Sequence, residues 1–218
     1  MNTSTVCSLT SLVALVLFAE AAPVQADDLV VYTAQPAGSS VKIDGSCNIH
    51  DWIVEGRIIG GRFEVDPSFA LTGTPAAGKV NAKAKASIPI TSLKSGKSRM
   101  DEVMQENMKA TEFPRIEYQM LEMTLKQAPK SATDPLVFDT VGKLTISGVS
   151  RTNAMEVTCS RTNASRLTFT TVANLKMTDF GITPPSPTIA LGLITTRDEV
   201  KVTLEWVTKQ RADPAATK

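Results

Sequence analysis

Val80-Asn81-Ala82-Lys83-Ala84-Lys85-Ala86-Ser87-Ile88 is the stretch whose reading decides the fold. Val80, Ala82, Ala84, Ala86 and Ile88 fall on one face and Asn81, Lys83, Lys85 and Ser87 on the other, the period-two signature of a β-strand with one wet side. The apolar side is mostly alanine. A sheet curled around that side has an interior its own side chains do not fill, and such space suits an apolar ligand.

Outward from this strand, nearly every long segment alternates in the same way. Val41 and Ile43 begin the series, which continues through Cys47 to Ile59, Phe63 and Val65, Ile116 to Leu125, Phe138 to Ile146, and Met155 to Cys159. Leu167, Phe169, Thr171, Ala173, Leu175 and Met177 share one face of a later strand, followed by Val200, Val202, Leu204 and Trp206. Asp44-Gly45, Gly60-Gly61, Asp66-Pro67, Asp134-Pro135, Ser147-Gly148 and Pro184-Pro185 punctuate the pattern as turns. Between Ile116 and Leu125 the apolar parity switches, from Ile116, Tyr118 and Met120 to Leu121, Met123 and Leu125, which calls for a bulge or for a strand covered on both faces. The chain is therefore all-β, and many strands at regular spacing suit a barrel or a sandwich.

The ends and the composition narrow the setting. Residues 1–26 read as a secretory signal, with an apolar run from Leu12 to Ala19 and Val24-Gln25-Ala26 as a small-residue cleavage site. That run is shorter than the roughly 20 residues a membrane span needs, so stable membrane insertion is not expected. Residues 27–208 make one domain, and 209–218 are small and polar and read as a disordered tail. Lys and Arg number 23 against 22 Asp and Glu, with no clustered basic face, which argues against nucleic acid as a partner. Cys47 and Cys159 remain after cleavage. An oxidising compartment permits a disulfide between them, and two buried free thiols are the alternative. Two cysteines and one histidine do not supply a zinc site, so no metal is expected.

One segment breaks the strand pattern. Ser98-Arg99-Met100-Asp101 resembles a capping box, acidic Asp101 and Glu102 fall in a first turn, and Met100, Val103, Met104 and Met108 share a helical face. Such a methionine face either plugs a core or acts as a pliable lid at the mouth of a cavity.

Several blocks carry a family resemblance. Val41-Lys42-Ile43-Asp44-Gly45-Ser46 with Asn48-Ile49-His50-Asp51-Trp52 resembles the opening motif of secreted members of the YceI-like family, periplasmic polyisoprenoid-binding proteins. In the family's order follow Met100-Asp101-Glu102, Met108 to Ile116 with its Phe113-Pro114-Arg115-Ile116, Gly142 to Ser150, Leu175 to Ile182, and Asp198 to Val202. The resemblance implies an extended, eight-stranded antiparallel, lipocalin-like barrel with one short amphipathic helix. It further implies an apolar interior that holds an isoprenoid or a quinone-like amphiphile non-covalently, a periplasmic or secreted location, and family members in settings such as stress response. The chain departs from the family pattern in its two cysteines and in lacking a histidine in the helical block.

The only histidine, His50, is followed by Asp51, but neighbours on a strand point to opposite faces, so Asp51 cannot orient the ring for a hydrolase triad. No Gly-x-Ser-x-Gly elbow occurs, and no catalytic residues are assigned. His50 and Trp52 share a face, either as a packed pair or as a headgroup contact. The candidate ligand-binding residues are His50, Trp52, Phe63, Ala82, Ala84, Ala86, Met104, Met108, Phe113, Tyr118, Phe138, Phe169 and Met177. The leading function is a non-catalytic carrier or sequestering protein for a small hydrophobic lipid. The alternative is a stress-related interaction module or chaperone of the same fold with a filled core. A homodimer is left open.

Overall fold

The computed structural model describes residues 29–69, 71, 73–163, 165–186 and 194–212. The expected signal segment and residues 213–218 lie outside this range. The alternating runs become strands β1 Val30–Ala34, β2 Ser40–Cys47, β3 Asp51–Gly56, β4 Gly60–Val65, β5 Gly78–Lys79, β6 Ala82–Pro89, β7 Arg115–Leu125, β8 Leu136–Ile146, β9 Val149–Asn163, β10 Arg166–Lys176 and β11 Thr196–Gln210, with helix α1 at Ser98–Asn107. All strand pairs are antiparallel. The path β1-β4-β6-β7-β8-β9-β10-β11 returns to β1, giving a closed eight-stranded barrel.

The barrel is extended because β11 is long enough to hold two partners on one edge. Its last residues pair with β1, Thr208 facing Ala34, and its earlier residues pair with β2, Glu205 facing Ser40 and Thr196 facing Cys47. At the handover the ladder is completed by a side chain. The Val207 amide donates to Ser39 Oγ at 3.0 Å, and the same hydroxyl donates to Gln35 O at 2.7 Å. A buried amide is thus satisfied where two strands meet end to end. β3 continues the line of β4 in the same fashion, but beyond β2 it has a single bridge, Glu55 to Lys94. Along this seam the wall is made by the segment 90–108 rather than by a strand.

β1 was not among the expected strands, yet it closes the ring, with Tyr32 buried. The parity switch in β7 is a bulge, the register shifting between Met120 and Glu122, so Met120 and Met123 both turn inward while Leu121 is left exposed. Met155–Cys159 is the middle of the fifteen-residue β9. At the other end of the chain, β11 runs through Gln210 and the Arg211 amide donates to Val31 O at 2.8 Å, so the sheet extends past Lys209, the expected start of the tail.

Helix α1 forms at the expected place but not with the expected cap. Lys97 is the N-cap and makes no side-chain cap bond, and Ser98 already lies inside the first turn. The latch is one turn displaced. Ser95 donates its amide and its hydroxyl to Asp101 Oδ1 at 2.7 and 2.6 Å, and Lys94 Nζ stands 3.9 Å from Asp101 Oδ2. At the other end, Ser147 Oγ donates to Met108 O at 3.0 Å.

One half of the barrel is solid. Val65, Leu125, Leu136, Phe138, Cys159 and Leu167 are almost wholly buried there. Arg161 clamps the covering loops from inside, donating to Leu71 O, Gly73 O and Asp134 O at 2.6 to 2.8 Å. Above this plug lie Tyr32, Phe63, Phe169 and Trp206, with successive ring centroids 6.2, 4.9 and 5.7 Å apart. Burial of each ring contributes roughly 1.5–3 kcal/mol and each pair about 0.5–1.5 more, enough to make this layer a firm floor.

Candidate functional site

Beyond that aromatic floor the barrel is hollow. A cavity of about 1130 Å3 extends from Phe63, Phe169 and Trp206 to the α1 end. Its lining residues on β11 run from Trp206 to Thr196, roughly 33 Å of strand, or about 25 Å along the axis at a tilt near 40°. The filled-core alternative therefore does not hold.

Two features of the sequence keep the lumen open. Ala84, Ala86 and Ala173 place methyl groups where larger side chains would meet in the middle. In addition, two aromatic rings lie flat along the wall over glycines. Trp52 faces Gly45 across the β2–β3 pair and covers it, and Tyr118 covers Gly142, so that a Cβ at either glycine would collide with the ring. The rings add apolar surface without crossing the barrel. The Tyr118 hydroxyl, beside Thr140, finds no well-formed hydrogen bond among the described residues, and burial pushes its pKa up, offset in part by Thr140.

Of the thirteen candidate residues, His50, Trp52, Phe63, Ala84, Ala86, Met104, Met108, Tyr118, Phe169 and Met177 line the cavity. Three do not. Phe138 is fully buried in the plug against Phe69, at a ring distance of 6.2 Å. Ala82, opposite Val65, packs on the core below the floor. Phe113 lies over Gly148 at the β8–β9 turn. For Phe138 and Ala82 the inward parity was right and the level along the barrel was not, whereas Phe113 precedes β7 and lies on no strand.

The lining also includes Met100 and Val103, which share the helical face already noted, and Val200, Val202 and Leu204, whose alternation was the available signal. Sequence reasoning missed the rim. Lys97, Arg99 and Lys176 are the charged side chains of the lining, with Asn107 beside them, and no carboxylate lines the cavity among the described residues. Arg99 is paired with Glu102 at 3.0 Å, and Lys176 approaches Glu199 at 4.0 Å.

Among the described residues His50 forms no ion pair with a carboxylate. Its Nδ1 is 3.0 Å from Cys47 Sγ, across the turn that joins β2 to β3, and both residues line the mouth. The disulfide alternative is overturned, because Cys47 and Cys159 are both free thiols. Cys47 pairs with Thr196 and Cys159 with Phe169, the partner of Trp206. Ten residues of β11 separate these levels, roughly 33 Å against the limit of about 7 Å between bridged Cα atoms. Among the described residues no cluster of three metal-ligating side chains occurs, and no helix is long and apolar enough to cross a membrane.

Known structures share this architecture. A polyisoprenoid binding domain from Saccharophagus degradans, implicated in plant cell wall breakdown, superposes with a TM-score of 0.63 at 13% identity, covering 84% of this chain and 99% of its own. BcnA of Burkholderia cenocepacia gives 0.59 at 19% identity, covering 80% and 98%. The Campylobacter jejuni YceI protein gives 0.52 at 18% identity, covering 73% and 85%. At these identities the likeness is one of fold. No curated protein matches the chain. The YceI-like domain model matches residues 32–208, which takes in the closed barrel, its helix and the cavity, and on that match the chain belongs to the YceI-like family.

Proposed function

We propose that this protein binds and carries, or sequesters, a polyisoprenoid or quinone-like amphiphile in the periplasm, without catalysis. The observation that carries this reading is the long cavity between the aromatic floor and α1, apolar along its depth and, among the described residues, charged only where Lys97, Arg99 and Lys176 reach its rim. Its volume of about 1130 Å3 lies just above the range of about 300–1,000 Å3 usual for small-molecule sites. A chain seated along it leaves water at roughly 0.8 kcal/mol per methylene, so about twenty carbons contribute roughly 16 kcal/mol against an ordering cost of about 4–15 kcal/mol. Length and width of the lumen then select the tail, and the polar headgroup stays with Lys97, Lys176, His50 and Asn107.

Membership of the family and the fold shared with a polyisoprenoid binding domain support the same ligand class. The test is to purify the full chain from its host, extract with an apolar solvent and identify the extract by mass spectrometry. Close to one isoprenoid or quinone-like molecule per protein is expected. An extract that never contains an apolar amphiphile, together with failure to take one up from detergent, would end the proposal.

A further inference from the structure

Both thiols of the domain are buried, but Cys159 is sealed in the plug whereas Cys47 borders the cavity. Cys159 is buried in the plug, and burial pushes its pKa up to about 12, with Arg161 pulling in the other direction, so it stays an unreactive thiol. Cys47 stands at the end of β2, where its amide donates to His50 O at 2.9 Å and closes the β2–β3 turn. That turn brings the imidazole over the sulfur. Cys47 Sγ is 3.0 Å from His50 Nδ1 and 3.1 Å from His50 O, so the thiol proton has an acceptor in place. His50 is exposed to solvent on its other side. Both side chains line the mouth of the cavity, where a seated amphiphile presents its headgroup.

We propose that the Cys47–His50 pair is a covalent capture site for the ring of a quinone amphiphile, a role that rests on the cavity being its binding site. His50 Nδ1 accepts the thiol proton, and the sulfur adds to a ring carbon conjugated to a carbonyl. A C–S bond forms, and the C=C electron pair moves to the carbonyl oxygen, which takes the proton back from the imidazolium. Loss of the ring C–H proton to water, with protonation of the second carbonyl, restores aromaticity. The product is a hydroquinone thioether, formed stoichiometrically from one thiol and one quinone with no outside oxidant or reductant.

A thiol is a few per cent thiolate at neutral pH, so a base beside it can raise the rate at most roughly thirtyfold, and its lower nucleophilicity leaves about tenfold. The full chain is treated with 1,4-benzoquinone at pH 7 and followed by intact mass and peptide mapping, with circular dichroism confirming that each variant is folded. One adduct on Cys47 is expected, absent in Cys47→Ser, formed about tenfold more slowly in His50→Gln, and unchanged in Cys159→Ala. Adduct formation on Cys159 at a comparable rate, no adduct at all, or an unchanged rate in His50→Gln would overturn the capture site. A quinone carrying an isoprenoid tail separates the two readings. Ala84→Phe should slow its reaction while leaving that of benzoquinone intact. If tail and Ala84→Phe make no difference while the benzoquinone results hold, the cavity reading fails alone; if the tailed quinone is bound but never attached, the capture site fails alone.

Discussion

Replacing Ala84 by phenylalanine tests the hollow directly. Ala84 sits on β6 opposite Phe63, almost buried by its neighbours and with its methyl at the cavity wall. A benzyl group there projects into the lumen and takes the place of about six cargo carbons. At roughly 0.8 kcal/mol per methylene the loss is about 5 kcal/mol, more than a thousandfold in Kd. Sliding the cargo toward the mouth does not recover it, because the same length of chain is then returned to water. Since the ring enters empty space, stability should change by less than about 1 kcal/mol.

The matched control is Ala82→Phe, two residues away on the same face but below the floor, against Val65. There the ring has no void and should overpack the plug at a cost of about 1–3 kcal/mol, some 2–12 °C in Tm for a domain of this size. Displacement of a fluorescent apolar probe measures the first effect and thermal unfolding followed by circular dichroism the second. Wild-type binding by Ala84→Phe at unchanged Tm, or identical behaviour of the two variants, would show that the alanine face does not bound a cavity.

Gly45→Ala should drive Trp52 off the wall, weakening probe binding and shifting tryptophan emission; an unaltered spectrum with full binding would contradict the ring-over-glycine packing. Arg161→Met removes three hydrogen bonds to loop carbonyls and should cost about 3 kcal/mol in urea unfolding, whereas a loss under 1 kcal/mol would mean that the loops are held otherwise. Burial disfavours the Asp101 carboxylate, but the Ser95 hydroxyl and amide and the Lys94 ammonium outweigh it and hold its pKa below the usual range. Its contribution is thus present at neutral pH and lost as pH falls below about 4. The stability gap between wild type and Asp101→Asn should therefore shrink on acidification, and a gap constant from pH 7 to 3 would refute the latch.

Much of this was legible in the chain because a strand repeats every two residues. The parity of Ala84 and Ala86, the bulge between Met120 and Met123, and the methionine face of α1 could all be read from spacing. Depth could not. Phe138 and Phe169 carry the same inward parity, yet one is sealed in the plug and the other faces the lumen, because strand tilt and register set the level and neither is written locally. β1 escaped notice because five residues give too little period, and its role in closing the barrel depends on how far β11 extends. The helix latch fell to Ser95 rather than Ser98 because the fold bends residues 94–97 back onto the first turn, a tertiary arrangement that a capping motif does not encode. The rim cations were invisible as a group, being drawn from the α1 N-cap, α1 itself and β10.

On the proposed carrier reading, the seam beside β3 is the part of the wall that opens with the least disruption. Opening a wall of paired amides means breaking many hydrogen bonds together, whereas here one bridge and the methionine-bearing segment 90–108 stand between lumen and solvent. The proposed cargo would then load sideways with every strand intact, and a tail longer than the barrel is tall would leave through the seam instead of being rejected for its length.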